Sequence, residues 1–328
     1  MSLAFGVIQN QQNDAQTVRQ ASTALLTIDS DDRFPSYTAK RASVPGSYNY
    51  SPYNFQINKS SSLMNGFITR LAVSEINFPW CVPNINPKTS KIQVGVASAI
   101  GGPYTYSTIT VPYGFYNPTD LASAIQGLIQ AQGGSLATFI FEYDTNDVTP
   151  QFNYNSGSAG VFVNFAPMPY NTTTYPYNDN TRQLFDVLGF SNVNTTVGTN
   201  NVNVYGGVSY AQAIHYVDIV CSQLVLNQPL KDATSQPIGR DALCRLYIVD
   251  ADGVFASDVG SYIFPGNKPA TVYRDFTSPK QIQWTPNQPI TAGLTFQVYD
   301  DQGDNLLDSM PPGVLPADWN ITLLVSES

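Results

Sequence analysis

The pattern of apolar and polar positions is typical of short β-strands, above all in the last third of the chain. In the segment 294–299, Leu294, Phe296 and Val298 are apolar and polar groups stand between them. This period of two is the signature of a strand that buries one face. The same third contains five further strand-like segments separated by turn residues, namely HYVDIVCSQLVL, ALCRLYIVD, ATVYRDF, KQIQW and WNITLLV. Such a series predicts an antiparallel sandwich or jelly roll.

Earlier parts of the chain add more strands and two helices. The strands are predicted at 24–28, 53–57, 67–78, 91–96, 104–111, 138–143 and 160–165. Asn117 can cap a helix that has Pro118 at its first position. Its apolar residues fall on one face, and Gly133-Gly134 ends it; they are Leu121, Ala124, Ile125, Leu128 and Ile129. A shorter helix is predicted at 182–188, and the rest of 167–207 reads mainly as long loops.

These elements predict an all-β fold, an antiparallel jelly-roll β-sandwich with long loops and one or two short inserted helices. Residues 1–22 are rich in Gln, Asn, Ala and Thr and show no strand alternation. We predict that they form an N-terminal arm, flexible or ordered by a partner. Residues 23–328 are predicted to form one jelly-roll domain with elaborated loops or an insertion around 113–210.

Composition narrows the possible partners. Charged residues make up 12% of the 328 residues, against about 25% in ordinary soluble domains. The net charge of −9 and the scattered Lys and Arg residues argue against a specific nucleic-acid partner. No window reaches the roughly 20 apolar residues of a membrane span, so none is predicted. Low charge with abundant Tyr instead suits extensive contact between subunits.

The sequence offers little equipment for catalysis. His215 is the only histidine, at the head of the strand HYVDIV, where it would share a face with Val217 and Ile219. A catalytic role would need a nucleophile and an orienting carboxylate, and no spacing supplies either. A structural histidine is therefore favoured. No nucleotide-binding, phosphate-binding or zinc-protease motif occurs, so no catalytic residue and no cofactor is predicted.

Two residue types could be argued as metal ligands. The aspartate groups are Asp29-Ser-Asp31-Asp32, Asp250-Ala-Asp252-Gly253 and Asp300-Asp301-Gln-Gly-Asp304. None has the twelve-residue calcium-loop spacing, and Asp and Gly are also what tight turns require. The three cysteines, Cys81, Cys221 and Cys244, are too dispersed for a disulfide framework or a zinc site and are predicted to be buried free thiols in a reducing compartment. No metal site is predicted.

The tryptophans leave one alternative open. Trp80, Trp284 and Trp319 lie beside strand ends and prolines. A carbohydrate-binding jelly roll would use such aromatic residues as platforms. Core packing or a protein interface is the favoured interpretation for each of them.

Several longer motifs resemble one family. VPYGFYNPTDLASAIQGLI, FIFEYD and TRQLFDVLGF resemble a strand–helix–strand–helix unit of minor capsid and penton proteins of large and virophage-type DNA viruses. LLTIDSDDRFPSYT, YNFQIN and FITRLAVSEINFPW resemble the beginning of those proteins. HYVDIVCSQLVLNQPLKDATSQPIGRDALCRLYIVD, PKQIQW and FQVYDDQGDNLL resemble the closing strands of their single-jelly-roll penton proteins. The resemblance spans roughly residues 22–328.

The resemblance implies a structural virion protein without enzymatic activity. It would be a penton subunit of a virophage-like or polinton-like virus, forming homopentamers at the five-fold vertices of an icosahedral capsid. Its neighbours would be double-jelly-roll major capsid proteins, with minor capsid proteins as further candidates. It would be made in the host cytoplasm or a viral factory. Two alternatives stay open: a minor capsid or cement protein between major capsid trimers, and a carbohydrate-binding jelly roll for host attachment.

Overall fold

The computed structural model describes fourteen stretches of the chain. They are residues 23–44, 50–58, 61–64, 68–99, 101–144, 150–192, 197–198, 203–225, 242–248, 269–277, 279, 281–284, 288–290 and 293–327. The predicted arm, residues 1–22, lies outside the described residues.

Sixteen strands are found within these stretches. They are β1 Thr23–Asp29, β2 Asn54–Ile57, β3 Ile68–Trp80, β4 Lys91–Ala97, β5 Thr105–Thr110, β6 Ile140–Asp144, β7 Gln151–Asn155, β8 Phe162–Ala166, β9 Val197–Gly198, β10 Val204–Val208, β11 Tyr216–Val220, β12 Ala242–Tyr247, β13 Ala270–Asp275, β14 Gln281–Gln283, β15 Leu294–Asp300 and β16 Asn320–Glu327. The α-helices are α1 Tyr37–Ala42, α2 Pro118–Gln130, α3 Leu184–Val187 and α4 Ser222–Val225. Short 3-10 helices occupy Ser30–Arg33, Gly134–Leu136, Phe190–Asn192 and Leu306–Ser309.

Two of the sheets form a jelly roll. The first sheet has the order β1-β16-β3-β13, with β14 also paired to β3, and the second has the order β12-β11-β15-β2. All of these pairs are antiparallel. The pairs β1·β16, β2·β15, β3·β13 and β11·β12 nest inside one another along the chain, as in a long hairpin rolled into two layers. The predicted fold class is therefore confirmed.

Aromatic side chains join the inner faces of the two layers. Phe78 of the first sheet and Phe55 of the second lie 6.0 and 5.8 Å, between ring centroids, from Trp319. Phe296 of β15 stacks on Phe55 at 5.4 Å. Apolar residues at every second position of β15 supply this core, as the alternation predicted, because Leu294, Phe296 and Val298 are buried.

An insertion occupies the connection between β3 and β11. It contains the sheets β5-β4-β8-β9 and β10-β7-β6 together with α2 and α3. Its strands β4 and β5 pair with each other and β4 also pairs with β8; neither pairs with a jelly-roll strand. Its core is largely aromatic and continuous with that of the jelly roll; the packed rings belong to Phe139, Phe141, Phe152, Tyr154, Phe165 and Phe190.

The predicted helix is present with the predicted cap. The Asn117 side chain accepts a 2.8 Å hydrogen bond from the backbone N–H of Asp120, which satisfies a free donor of the first turn. The buried face includes Ala122, whereas Ala124 and Leu128 of the predicted face are only half-buried. The other predicted face residues, Leu121, Ile125 and Ile129, are buried.

Other elements differ from the predictions. The segment 167–207, read mainly as loops, contains β9 and most of β10. β7 was not predicted because three of its five residues are polar and the middle one, Asn153, is buried. The strand predicted through HYVDIVCSQLVL ends at Val220, and α4 follows it. The short helix α1 was also missed. Its cap is Ser36, which accepts a 3.2 Å hydrogen bond from the Ala39 N–H.

Candidate functional site

The turn after β15 carries a network of polar contacts. One Asp300 carboxylate oxygen accepts hydrogen bonds from the backbone N–H groups of Gln302 and Asp304, at 3.0 and 2.9 Å. Gly303 takes φ +103°, which a residue with a side chain rarely adopts. This aspartate group therefore forms the predicted turn, and its first carboxylate shapes the backbone.

A buried lysine of the insertion reaches into this turn. The Lys88 ammonium lies 3.0 Å from Asp300 and 2.7 Å from Asp304, between carboxylate oxygens and Nζ. Burial is the largest effect on the Lys88 pKa and lowers it, but the two carboxylates together outweigh burial and raise that pKa. Burial also raises the pKa of Asp300, which Lys88 only partly offsets. Tyr175 fixes the other side by donating a 2.7 Å hydrogen bond to the Lys88 carbonyl.

The single histidine joins the same turn. His215 Nδ1 lies 2.9 Å from an Asp301 carboxylate oxygen, which also lies 3.1 Å from Arg182 Nη1. Burial tends to raise the pKa of Asp301, but the hydrogen bond from His215 and the charge of Arg182 lower it overall. Arg182 further donates to the carbonyl of Ala213. The turn thus ties insertion residues to the start of β11.

This arrangement changes the interpretation of His215. The predicted sharing of a face with Val217 and Ile219 was wrong, because His215 precedes the strand and its side chain is 53% exposed. The orienting carboxylate, which no spacing indicated, is Asp301, 86 positions away. Among the described residues, Asp301 is the only hydrogen-bond partner of the imidazole. The pair holds the turn in place.

Of the other two aspartate groups, the structure describes one, and it also shapes the backbone. The Asp29 carboxylate accepts a 2.8 Å hydrogen bond from the Asp31 N–H, and the Asp29 N–H donates a 3.2 Å hydrogen bond to the Asp32 carboxylate, so the group caps the 3-10 helix that follows β1. The group Asp250-Ala-Asp252-Gly253 lies outside the described residues. Within the described stretches, no three His, Cys, Asp or Glu side chains converge as metal ligands.

The tryptophans and cysteines are largely internal. The three tryptophans are buried in this chain, so none of them presents a platform. The expectation of buried thiols was right for Cys221, whereas Cys81 and Cys244 are half-buried residues. All three are free, and burial of the sulfur raises the pKa of Cys221 and of Cys244 to about 12.

The outward side of the second sheet carries an aromatic and charged cluster, which we call the second-sheet face: Tyr216, Asp218, Arg245 and Tyr247. Arg245 binds Asp218 through two hydrogen bonds, of 2.7 and 2.9 Å. Its guanidinium carbon lies 3.9 Å from the centroid of the Tyr216 ring. Tyr247 packs edge-on against Tyr216 and remains 52% exposed. Tyr and Arg in a fixed arrangement are typical of interface anchors.

The outward side of the first sheet carries a polar ladder, which we call the first-sheet face: Leu25, Thr27, Glu75, Tyr273 and Thr322. Thr27 and Thr322 are joined at 3.3 Å between hydroxyl oxygens. Thr322 and Tyr273 each donate a 3.0 Å hydrogen bond to the Glu75 carboxylate. Leu25, at the edge of the sheet, is 64% exposed.

Neither of the two face clusters, nor the pair of Lys88 and Asp300, was predicted from the sequence. Asp218 and Arg245 face each other only because β11 and β12 pair in one register. Lys88 and Asp300 are 212 positions apart. The sequence carries one local signal, a polar residue between apolar neighbours, such as Asp218 within YVDIV. This signal predicts that the side chain points outward, but it does not identify the residue that pairs with it.

Comparisons with known proteins give a structural likeness but no sequence match. The sequence matches no protein-family model and no curated protein. The fold is similar to the crystal structure of selenomethionine-labelled mavirus penton protein, at 15% sequence identity and a TM-score of 0.48, over 94% of this chain and 100% of that one. Within the described stretches, no helix has the length and apolar character needed to cross a membrane.

Proposed function

We propose that this chain is a structural virion protein, the penton subunit that forms homopentamers at the five-fold vertices of an icosahedral DNA-virus capsid. The observation that carries the proposal is a complete jelly roll with an ordered cluster on the outward side of each sheet. The motifs that resemble penton and minor capsid proteins support the same class.

The mechanism is assembly through the two flanks of the jelly roll. The second-sheet face of one copy contacts the first-sheet face of the next, so that each interface is heterologous and repetition around an axis closes a ring. Side chains that are already held by Arg245–Asp218 and by the Glu75 ladder lose little further conformational freedom on contact. The scarcity of charge reduces the desolvation cost of such an interface.

The turn after β15, at residues 300–304, has a role in this proposal. Lys88 and Arg182 hold the insertion to the jelly roll through buried or half-buried ion pairs. The insertion therefore keeps one orientation relative to the flanks, as an exposed part of a vertex requires. Double-jelly-roll major capsid proteins are the proposed neighbours, with minor capsid proteins as further candidates, and the virion is the proposed location. We assign no catalytic, cofactor or metal role to any residue.

Light scattering on the purified protein tests the pentamer. Five subunits of 35.8 kDa give a species of about 179 kDa. A stable monomer at all concentrations and pH values would overturn the proposal. Particle images then separate the penton from the cement alternative: density on the five-fold axes supports the penton, and density between capsomers supports a minor capsid protein.

A further inference from the structure

The outward side of the sheet β5-β4-β8-β9 carries the exposed aromatic ring of Tyr106. Ile92 and Val94 of β4 are wholly buried, so Gln93 and Gly95 between and after them point outward. Gly95 lies opposite Tyr106 of β5 on one side and opposite Asn164 of β8 on the other. Thr108 lies opposite Gln93. These side chains share one face of the insertion.

The Tyr106 ring lies across β4 with one face against Gly95. A Cβ atom at position 95 would stand 2.7 Å from Cε1 of Tyr106 and 3.0 Å from Cδ1 and Cζ, so any larger residue would push the ring out of this position. The Tyr106 hydroxyl accepts a 2.9 Å hydrogen bond from the Asn164 side-chain amide on the far side of β4. Tyr104 flanks the ring at 6.1 Å between centroids. The residue is nevertheless 44% exposed, so part of the side chain remains open to solvent.

A comparison with other aromatic residues sets Tyr106 apart. The three tryptophans are buried in the core. Tyr205, on the outward side of β10, is 45% exposed. Its hydroxyl has no hydrogen-bond partner among the described residues. Tyr106 is equally exposed but is held by a glycine below, an amide at its tip and a second ring at its side.

We propose that Tyr106, with Gln93, Thr108 and Asn164 around it, binds a neutral hexopyranose residue of a glycan. One face of a pyranose presents C–H groups with partial positive charge, which are attracted to the negative face of an aromatic ring. The sugar hydroxyls at its rim match the amide and hydroxyl groups of the flanking side chains, which can both donate and accept. A ring fixed before binding loses little freedom when the sugar arrives.

The net charge of the chain favours a neutral ligand over an anionic one. A net charge of −9 repels the phosphates of nucleic acid and the carboxylates of acidic sugars. A neutral pyranose has neither. The site lies on the insertion and does not depend on the jelly-roll flanks, so its test is independent of whether the protein forms a pentamer.

Saturation-transfer NMR tests the site with four probes, the methyl pyranosides of glucose, galactose, mannose and N-acetylglucosamine. We expect transfer to the C–H protons of at least one of them, with weak, about millimolar, binding of a single residue. Tyr106→Ala weakens this binding about tenfold or more. Tyr205→Ala, a matched exposed tyrosine, leaves it unchanged. Tyr106→Phe keeps the ring and most of the binding.

Three results would overturn the proposal. The first is no transfer to any of the four probes, and the second is equal binding by the wild-type protein and Tyr106→Ala. The third is stronger binding of sialyllactose than of lactose, which would replace the neutral ligand by an acidic one. Should Tyr106→Ala fail to fold, the Gly95 backbone amide and the Asn164 side-chain amide of the wild-type protein report the site. Their resonances shift during the titration if the assignment is correct and stay fixed if it is wrong.

Discussion

The ammonium of Lys88 lies 3.0 Å from a carboxylate oxygen of Asp300, and the two side chains are 3% and 0% exposed. The pair joins the insertion to the turn after β15, 212 positions away in sequence. A buried charge that loses its partner is far more costly than a surface charge that does so. The contact therefore makes the attachment of the insertion sensitive to a single side chain.

Replacing this lysine tests the attachment. Lys88→Met keeps most of the apolar volume but leaves Asp300 buried without its ammonium, and we expect the free energy of unfolding to fall by about 3–5 kcal/mol. Lys40→Met is the matched control, because Lys40 pairs with Asp31 and Asp318 while about a third of its side chain is exposed. We expect a loss of about 1 kcal/mol or less there. Denaturant unfolding measures both, and equal losses would contradict the prediction.

Acid should weaken the attachment through Asp301. His215 and Arg182 lower the pKa of this carboxyl in the folded protein below its unfolded value, despite the opposing effect of burial. Its contribution to stability is therefore present above the unfolded pKa, near 3.8, and is lost as pH falls through the folded pKa. Asp301→Asn should flatten the fall of the unfolding free energy with acidification between about pH 5 and pH 2.

Asp308 provides a control of opposite sign. Burial raises its pKa in the folded protein, so Asp308 destabilises the fold as pH rises through its window. In the wild-type protein, Asp308 lowers the free energy of unfolding as the pH rises, and Asp308→Asn should remove this effect. Asp301 lowers the free energy of unfolding as the pH falls, and Asp301→Asn should remove that effect. Unfolding curves at a series of pH values give both slopes. The same change of slope in both variants would refute the assignment.

The proposed flank contact makes a prediction for Tyr247. This residue is 52% exposed in the single chain and packs on Tyr216 within the second-sheet face. Tyr247→Asp removes an aromatic anchor and brings a charge into the interface, and we expect assembly to weaken by about 2 kcal/mol or more per contact, about thirtyfold. Light scattering over a dilution series measures the shift. Tyr205→Asp, on the insertion, should leave the assembly intact, and a pentamer unaffected by Tyr247→Asp would exclude this flank.

The predicted arm makes a separate prediction. Its polar, weakly charged composition is typical of segments that become ordered through a partner. Deleting residues 2–20 should leave the thermal unfolding of the domain unchanged and lower the amount of protein incorporated into purified particles. Quantitative immunoblots of particles and of total lysate measure this ratio. Normal incorporation of the shortened protein would show that the arm has no part in assembly.

The sequence predicted those elements whose signal is local. The alternation in β15 and the cap, proline and apolar face of α2 each lie within one short segment, and both elements are present. β7 was missed because Gln151, Asn153 and Asn155 make three of its five residues polar, and the burial of Asn153 is not visible in the sequence. A strand this short gives too few repeats of the period to separate it from a polar loop.

The polar contacts escaped for a different reason. Asp301 meets His215, and Asp218 meets Arg245, only after the strands have paired in register. No spacing along the chain encodes such a meeting, because it depends on the path of the whole fold. The contact of Gly95 with Tyr106 could not be predicted for the same reason, because it forms only when β4 and β5 pair in register.

The nesting of the strand pairs also dictates an order of events during synthesis. Within the described residues, β1 hydrogen-bonds to β16, so Thr23–Asp29 must wait for Asn320–Glu327 to leave the ribosome before the first sheet can close. The sheets of the insertion need only partners that are closer in sequence and can form earlier. At elongation rates of about 5–20 residues per second, β1 stays unpaired for about 15 seconds or longer, a nascent edge that a chaperone would have to shield.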